Sequence, residues 1–262
     1  MSAARRLRTS LRSDALTRIA LVALAAIFAA ACIASFLPHG ALRSICFGAR
    51  YTLIVALSAS LLAVSLGSIL GASAALSGSV WDRLVAHTVE VLGAFPGIII
   101  VALLRAIAPH SDLVVSIVAL ALVRLPESIR VVRAETLRLH VSEFALAARA
   151  LGVPSSRFLW RHLGPHLLPF VAESAVLTLG VTILFDGALA LFGLSHPDGP
   201  ASWGSMIARS VSASRPQDAL LPATLVLASV FALVRLSETV RRSLDPRPQS
   251  TSPLRDGPTG SR

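Results

Sequence analysis

The 262-residue chain carries a net charge of +10, yet 54% of its residues are hydrophobic and only 15% are charged. With a mean hydropathy of +0.73, this composition lies outside the range of soluble domains and predicts a membrane protein. All 24 basic residues are arginine. Because a P-loop needs a lysine on the phosphates, a P-loop ATPase is excluded. A nucleic-acid-binding protein would need a basic soluble domain, which the sequence does not contain.

Six apolar runs predict an all-α polytopic membrane protein with six transmembrane helices. The runs, in chain order, are 19–37, 51–75, 84–104, 113–123, 167–194 and 220–234. Most of them approach or exceed the ~20 residues that a helix needs to cross ~30 Å of hydrocarbon. The fourth run is short, and we extend it to Val132 because Arg124 and Glu127 can snorkel or face protein near the cytosolic end.

The distribution of arginine predicts the orientation of these spans. With the N-terminus in the cytosol, 19 of the 24 arginines lie on the cytosolic side, in agreement with the positive-inside rule. Six spans then place both termini in the cytosol, with a basic tail at residues 1–18 and a disordered tail at residues 243–262. The first run could alternatively be a signal peptide, although its 19 apolar residues exceed the usual signal core.

A small helix-turn-helix motif interrupts the apolar sequence within residues 133–166, the largest inner loop. Spacing of i, i+3, i+4 and i+7 places four apolar residues on one helix face. These are Phe144, Ala147, Ala148 and Leu151. Gly152 suits a left-handed helix stop, and Pro154 prevents continuation. Small alanines favour close docking to another protein, and the alternative is an amphipathic connector on the lipid surface.

This loop resembles the EAA loop of ABC importer permeases, which reads Glu-Ala-Ala, three residues, Gly, and then Pro thirteen residues later. Ala147, Ala148, Gly152 and Pro165 are in register, whereas Leu146 stands where the pattern has Glu. Further segments resemble the dipeptide, oligopeptide and nickel branch of these permeases, in order and at family spacing. They are FGARYTLIVAL, AFPGIIIVALL, RHLGPHLLP, LALFGLS, ASWGSMI and SLDPR.

The resemblance implies a type I ABC importer transmembrane domain at residues 47–242, with five helices, after a first transmembrane helix at residues 19–37. It implies that loop 133–166 seats in a groove of an ATPase subunit and couples ATP hydrolysis to transport. The residues assigned to this coupling are Glu143, Ala147, Ala148, Arg149, Gly152 and Pro165. Glu143 matches an acidic position that is common in the peptide branch.

The resemblance also implies the partners and the location of the chain. We expect a permease in the lipid of the cell (inner) membrane, paired with a second homologous permease, two cytosolic ABC ATPases and an extracytoplasmic solute-binding protein. No cofactor is expected, and ATP hydrolysis is expected in the ATPase subunits. Small peptides are the leading cargo, and nickel or another small solute is the alternative. A stand-alone secondary transporter, which needs no ATPase, is a further alternative.

Acidic residues within the apolar runs are candidates for the transport path. Because a charge in lipid is costly, Glu90, Glu173 and Asp186 are expected to face a cavity or a partner. We favour pairing or snorkelling for Glu90, which lies near a cytosolic end, and keep Glu173 and Asp186 as path candidates. Pro96 is a third candidate, because it should kink the third span by removing a backbone hydrogen bond.

The sequence does not support a metal site or an intramembrane protease site. His162 and His166 are four residues apart, but the intervening Gly164 and Pro165 break the shared helix face that a metal pair requires, so no metal site is predicted. The serine of Gly71-Ala72-Ser73 faintly resembles that of an intramembrane protease. Such an enzyme needs a histidine base at matching depth, and His87 lies near the inner end of its span. No catalytic residue is therefore predicted.

Overall fold

The computed structural model describes residues 15–33, 40–78, 80–108, 112–151, 161, 163–194 and 201–244, and all regular structure within them is helical. The helices are α1 (Ala15–Ile33), α2 (Ala41–Ser77), α3 (Val80–Ala94), α4 (Gly97–Ile107), α5 (Asp112–His140), α6 (Glu143–Ala150), α7 (Gly164–Leu191), α8 (Trp203–Ser212) and α9 (Pro216–Leu244). The predicted all-α fold is confirmed for this part of the chain.

Three of the described helices are long and apolar enough to cross a membrane: Leu42–Ser77, Gly164–Leu191 and Pro216–Arg242. Helices α3 and α4 pass the same test only as a pair, and they are bent by 89° at the break between them. A pair bent this sharply is either a broken span or a re-entrant loop. The described residues therefore supply three spans, or four with the bent pair, and the count of six stays a prediction.

The kink predicted at Pro96 is a complete break in the structure. Proline disfavours helical backbone at the preceding residue, and α3 ends at Ala94, immediately before a bend at Phe95. Pro96 has extended backbone (φ −56°, ψ 128°), and its carbonyl accepts a hydrogen bond from the Ile99 N–H at 2.9 Å. Helix α4 thus begins afresh at Gly97. The third apolar run forms two helices, not one kinked helix.

Helix α5 is longer than the sequence predicts. It continues through Pro126 and past Val132 to His140, so the first two turns of the predicted loop belong to this helix. Its backbone packs closely on α2, because Gly67 and Gly71 lie at the contact. A Cβ atom on Gly67 would lie 2.5 Å from the Ser128 Cβ, and one on Gly71 would lie 2.7 Å from the Ile129 carbonyl oxygen. Small residues spaced in this way permit backbones to approach within membranes.

Two hydrophobic clusters show that α7 runs antiparallel to α5. In one cluster Leu120 of α5 packs with Leu189 of α7. In the other, Leu139 of α5 packs with Leu167 of α7 and with Ala72 of α2. The two helices therefore lie side by side along most of their length. A third cluster joins α1, α2, α7 and α9 around the buried Trp203.

Helix α8 lies between the fifth and sixth apolar runs, where the sequence pattern predicts no span. Ser202 caps it, since its Oγ accepts a hydrogen bond from the Ser205 N–H at 3.1 Å. The fully buried Trp203 donates from Nε1 to the Ile45 carbonyl and from its backbone N–H to Thr52 Oγ1, both at 3.1 Å. These contacts fix α8 against α2. The serine cap before an apolar residue is a pattern from which this helix could have been predicted.

Candidate functional site

Helix α6, the first helix of the predicted coupling loop, is held against its own chain by two alanines. Ala145 is fully buried and Ala148 is nearly so. Both pack in the cluster formed by α2, α5 and α7, which contains Leu139 and Leu163. Ser142 makes the reversal between α5 and α6: its N–H donates to the Leu139 carbonyl at 3.2 Å, and its own carbonyl accepts from Ala145 at 3.0 Å. α6 is thereby joined to the ends of three long helices.

The apolar residues predicted to share one face of α6 do not all point the same way. Ala148 faces the interior of this chain, whereas Leu151, just after the helix, is 83% exposed. Leu146, which replaces the glutamate of the motif, is 55% exposed, and Glu143 is exposed in the first turn. The helix therefore presents Glu143 and Leu146 outward. Ala148 holds α6 in place, and its assignment to coupling stays a prediction.

The remaining residues assigned to coupling are only partly described. Pro165 is exposed in the first turn of α7, where proline is compatible with the helix because the first N–H groups need no helical partner. Gly152 lies outside the described residues, and so do Pro154 and His162. Ala147 and Arg149 belong to α6. Their assignments rest on the sequence pattern.

An ion pair that could not be identified from the sequence links the first turn of α3 to the C-terminal part of α5. Arg133 donates to the two carboxylate oxygens of Asp82, from Nε at 2.7 Å and from Nη2 at 2.8 Å. Both side chains are roughly one-quarter to one-third exposed. Two parallel hydrogen bonds from guanidinium to carboxylate fix relative orientation as well as distance. α3 is therefore tied to the segment of α5 that leads into α6.

Glu173 lines a groove of about 270 Å³ between α5 and α7. Four charged side chains line this groove: Arg124 and Glu127 of α5, Glu173 of α7, and Arg241 in the last turn of α9. Arg124 forms a salt bridge with Glu127, and Arg241 acts electrostatically on Glu173. The rest of the lining is apolar or hydroxyl-bearing and comprises Val131, Phe170, Ser174, Leu177, Thr178 and Val181. We call this the α5–α7 groove.

The other two path candidates lie elsewhere. Asp186 is thirteen residues beyond Glu173 on α7, about 20 Å along the helix axis, so the two acids do not share a site. It lies near α8, since its carbonyl oxygen is 3.3 Å from the position of a Cβ on Gly204, and the charge that acts on it is Arg105. Pro96 lies at the break between α3 and α4.

The break at Pro96 borders a second groove, of about 310 Å³, between the α3–α4 pair and α5. Glu127 lines this groove as well as the α5–α7 groove. Gly97 permits the close packing at this point, since a Cβ there would lie 2.7 Å from Val123 Cγ1 and 2.9 Å from Phe185 Cζ. Glu127, which the sequence analysis considers only as an interfacial residue, is thus the charged side chain common to both grooves.

Two residues considered in the sequence analysis have local partners. Glu90 lies 3.9 Å from the Nδ1 of His87, and both side chains are about three-quarters exposed. Ser73 accepts a hydrogen bond from Trp81 Nε1 at 3.2 Å and donates to the Leu70 carbonyl. Neither partner of Ser73 is a general base, so the structure gives no support to a protease site there.

Comparison with known proteins gives consistent matches. A family model described as the binding-protein-dependent transport system inner membrane component matches residues 63–250. A putative peptide permease protein of Brucella ovis is 31% identical over 204 residues, which cover 76% of this chain and 67% of that protein. The oligopeptide transport system permease protein OppC of Bacillus subtilis is 28% identical over 202 residues, covering 76% of this chain and 66% of that protein.

A putative peptide transport system permease protein of Brucella suis is likewise 31% identical over 204 residues, covering 77% of this chain and 68% of that protein. The family model spans the α5–α7 groove and residues 133–166. These matches confirm the resemblance inferred from the EAA-like loop. The chain belongs to the family of binding-protein-dependent transport system inner membrane components, the permease components of ABC importers.

Proposed function

We propose that the chain is one of two permease subunits of a type I ABC importer that carries small peptides across the cell inner membrane. The observation that carries this proposal is the family match over residues 63–250, together with relatives named as peptide permeases over 76% of the chain. The complex contains a second homologous permease, two cytosolic ABC ATPases and an extracytoplasmic solute-binding protein. In this assembly the chain has six spans and both termini in the cytosol.

The contacts of α6 support a mechanical route from the ATPases to the spans. Closure of the ATPase dimer displaces loop 133–166, and α6 moves with it. Because Ala145 and Ala148 are packed against α5 and α7, the movement of α6 is passed to both helices. The hydrogen bonds between Arg133 and Asp82 link α3 to α5, so α3 moves with α5. Packed interiors transmit such shifts because they have low compressibility.

The α5–α7 groove lies between two helices that this movement would displace. Glu173 lies within α7, which is long and apolar enough to cross a membrane, and an ionisable residue in such a helix usually faces a cavity or another protein and not lipid. The groove also begins close to α6, because Phe170 lies two turns into α7. Alternating access then follows from two arrangements of α5 and α7, which the ATPases select between.

Uptake by cells tests the proposal against its rivals. A strain that lacks this gene should lose uptake of a labelled dipeptide, and restoring the gene should recover it. Collapse of the proton gradient with an ionophore, at maintained ATP, should leave uptake largely intact, whereas a secondary transporter driven by that gradient would stop. If the deletion spares dipeptide uptake but removes uptake of labelled nickel, the cargo proposed here is wrong.

A further inference from the structure

The charges of the α5–α7 groove form two pairs at different depths. The antiparallel packing of Leu120 with Leu189 and of Leu139 with Leu167 sets the level of each residue of α5 along α7. By this register Arg124 lies nine to twelve residues beyond Glu173, or about 14–18 Å along the bundle axis. Arg124 and Glu127 therefore form the deeper pair, and Glu173 and Arg241 form the pair nearer the cytosol.

Within each pair, one side chain is more enclosed than its partner. The Arg124 side chain is 15% exposed, whereas that of Glu127 is 64% exposed. Glu173 is half-buried, whereas Arg241 is exposed. An enclosed charge interacts more strongly with a ligand than an exposed one, because water and salt screen it less. The groove thus offers an enclosed guanidinium at its deep end and a half-buried carboxylate about 14–18 Å away along the bundle axis.

We propose that the α5–α7 groove is a transit site for the main chain of a di- or tripeptide, with Arg124 taking the terminal carboxylate and Glu173 taking the terminal ammonium group. An extended di- or tripeptide spans about 7–11 Å, and a hydrogen bond of about 3 Å at each end brings the total to about 13–17 Å, which overlaps the axial separation of the two charges. Guanidinium binds carboxylate through two parallel hydrogen bonds. This inference rests on the proposed function and adds the site and its ligand chemistry.

The balance of charge in the groove favours this occupant over others. Two arginines and two glutamates give no net charge, which suits a zwitterion and offers no advantage to an anionic lipid headgroup or a metal cation. Serine and threonine hydroxyls at Ser174 and Thr178 add hydrogen-bonding groups between the two ends. The charged groups of the groove bind only the main-chain ends that all free peptides share. The site is therefore selective for peptides with free termini, and selectivity for side chains is left to the binding protein.

Cysteine protection in the reconstituted importer tests this assignment. Ser174→Cys is made in a background with Cys32→Ala and Cys46→Ala, and a charged, water-soluble methanethiosulfonate is applied from the cytosolic side. We expect the dipeptide alanyl-phenylalanine to slow labelling, and its N-acetyl, C-amide form to have no effect. Leu227→Cys, on an exposed apolar part of α9 outside the groove, should remain unlabelled and so controls for reagent that enters through lipid.

Charge variants assign the two ends. Arg124→Gln and Glu173→Gln should each raise the dipeptide concentration for half-protection by about tenfold. Arg130 lines the second groove and not the α5–α7 groove, so Arg130→Gln should change the concentration for half-protection by less than about twofold. Arg124→Lys retains the charge and should have an intermediate effect. Assembly with the ATPases is checked by pull-down, and if Arg124→Gln does not assemble, Glu173→Gln and the capped dipeptide decide.

Three results would overturn the inference. Absence of labelling at Ser174→Cys in the assembled complex would mean that the partner permease or lipid fills the groove. Labelling without protection, or equal protection by the free and capped dipeptides, would mean that peptide termini are not bound there. If the parent complex imports the dipeptide in any of these cases, the proposed function stands and only this inference fails. If the parent imports no dipeptide, both fail together.

Discussion

Replacing Gly67 by alanine should disrupt the contact between α2 and α5, and Gly180→Ala provides a matched control. A Cβ on Gly67 would lie 2.5 Å from the Ser128 Cβ, 3.0 Å from the Ser128 carbonyl carbon and 3.1 Å from the Ile129 nitrogen. Ordinary contacts need about 3.5–4.0 Å, so α5 must move by about 1 Å at this point. A Cβ on Gly180 would lie 3.5 Å from its nearest neighbour, Leu233 Cβ, and fits without movement.

The size of the effect follows from comparing the two variants. Both glycines are buried within helices, and alanine favours a helix over glycine by up to about 1 kcal/mol, a gain common to both substitutions. Overpacking against backbone costs about 1–3 kcal/mol, and only Gly67→Ala incurs it. Gly67→Ala should therefore be less stable than Gly180→Ala by about 1–3 kcal/mol.

Thermal inactivation of the purified complex in detergent and ATP-dependent uptake in proteoliposomes measure this difference. We expect Gly67→Ala to inactivate at a lower temperature and to import more slowly, while Gly180→Ala behaves as the parent. Membrane insertion should be equal for both, because alanine is no less apolar than glycine. Equal stability and uptake for the two variants would show that α2 and α5 do not pack as closely as described.

Three further predictions concern the path and the coupling route. Asp186→Asn should lower uptake by about tenfold, which corresponds to about 1.4 kcal/mol on the transport barrier, and the ATPase subunits should still be recovered with it in a pull-down. Normal uptake by this variant would show that the charge of Asp186 has no role in transport. Ala145→Leu should abolish dipeptide-stimulated ATP hydrolysis, because the larger side chain overpacks the buried face of α6. Leu146→Ala, at an exposed position, should change this hydrolysis little. Similar hydrolysis rates for the two variants would argue against a rigid α6. Asp82→Arg should impair uptake, and adding Arg133→Asp should recover part of that uptake because it restores an ion pair of reversed polarity. If the double variant takes up no more dipeptide than the single variant, the pair has no role in uptake.

The apolar runs were sufficient to predict α2, α7 and α9, because continuous hydrophobic sequence is itself what places a helix in a membrane. At Pro96 the sequence indicates where the helix is interrupted. Whether the helix kinks or breaks there depends on the packing of Gly97 against Val123 and Phe185. Helix α8 has only ten residues and is therefore too short to form an apolar run of membrane-spanning length; its serine cap is the local signal that marks it.

The site was predicted only in part, because its members are distant in the chain. Glu173 could be identified as costly in lipid, but its neighbours Arg124 and Arg241 come from other helices and join it only through the packing of α5, α7 and α9. The pair of Asp82 and Arg133 is separated by 51 residues, and no local pattern links them. The EAA-like spacing located α6, yet the burial of Ala148 depends on where α2 ends and where α7 begins.

Uptake of a labelled dipeptide by proteoliposomes that contain the complete importer tests the central claim most directly. With saturated binding protein outside and ATP at the ATPase subunits, we predict accumulation of the dipeptide against its gradient and stimulated ATP hydrolysis in the same vesicles. Vesicles that lack this permease should show neither activity. Accumulation that proceeds without ATP, or without this chain, would contradict its assignment as a permease subunit that couples ATP hydrolysis to peptide import.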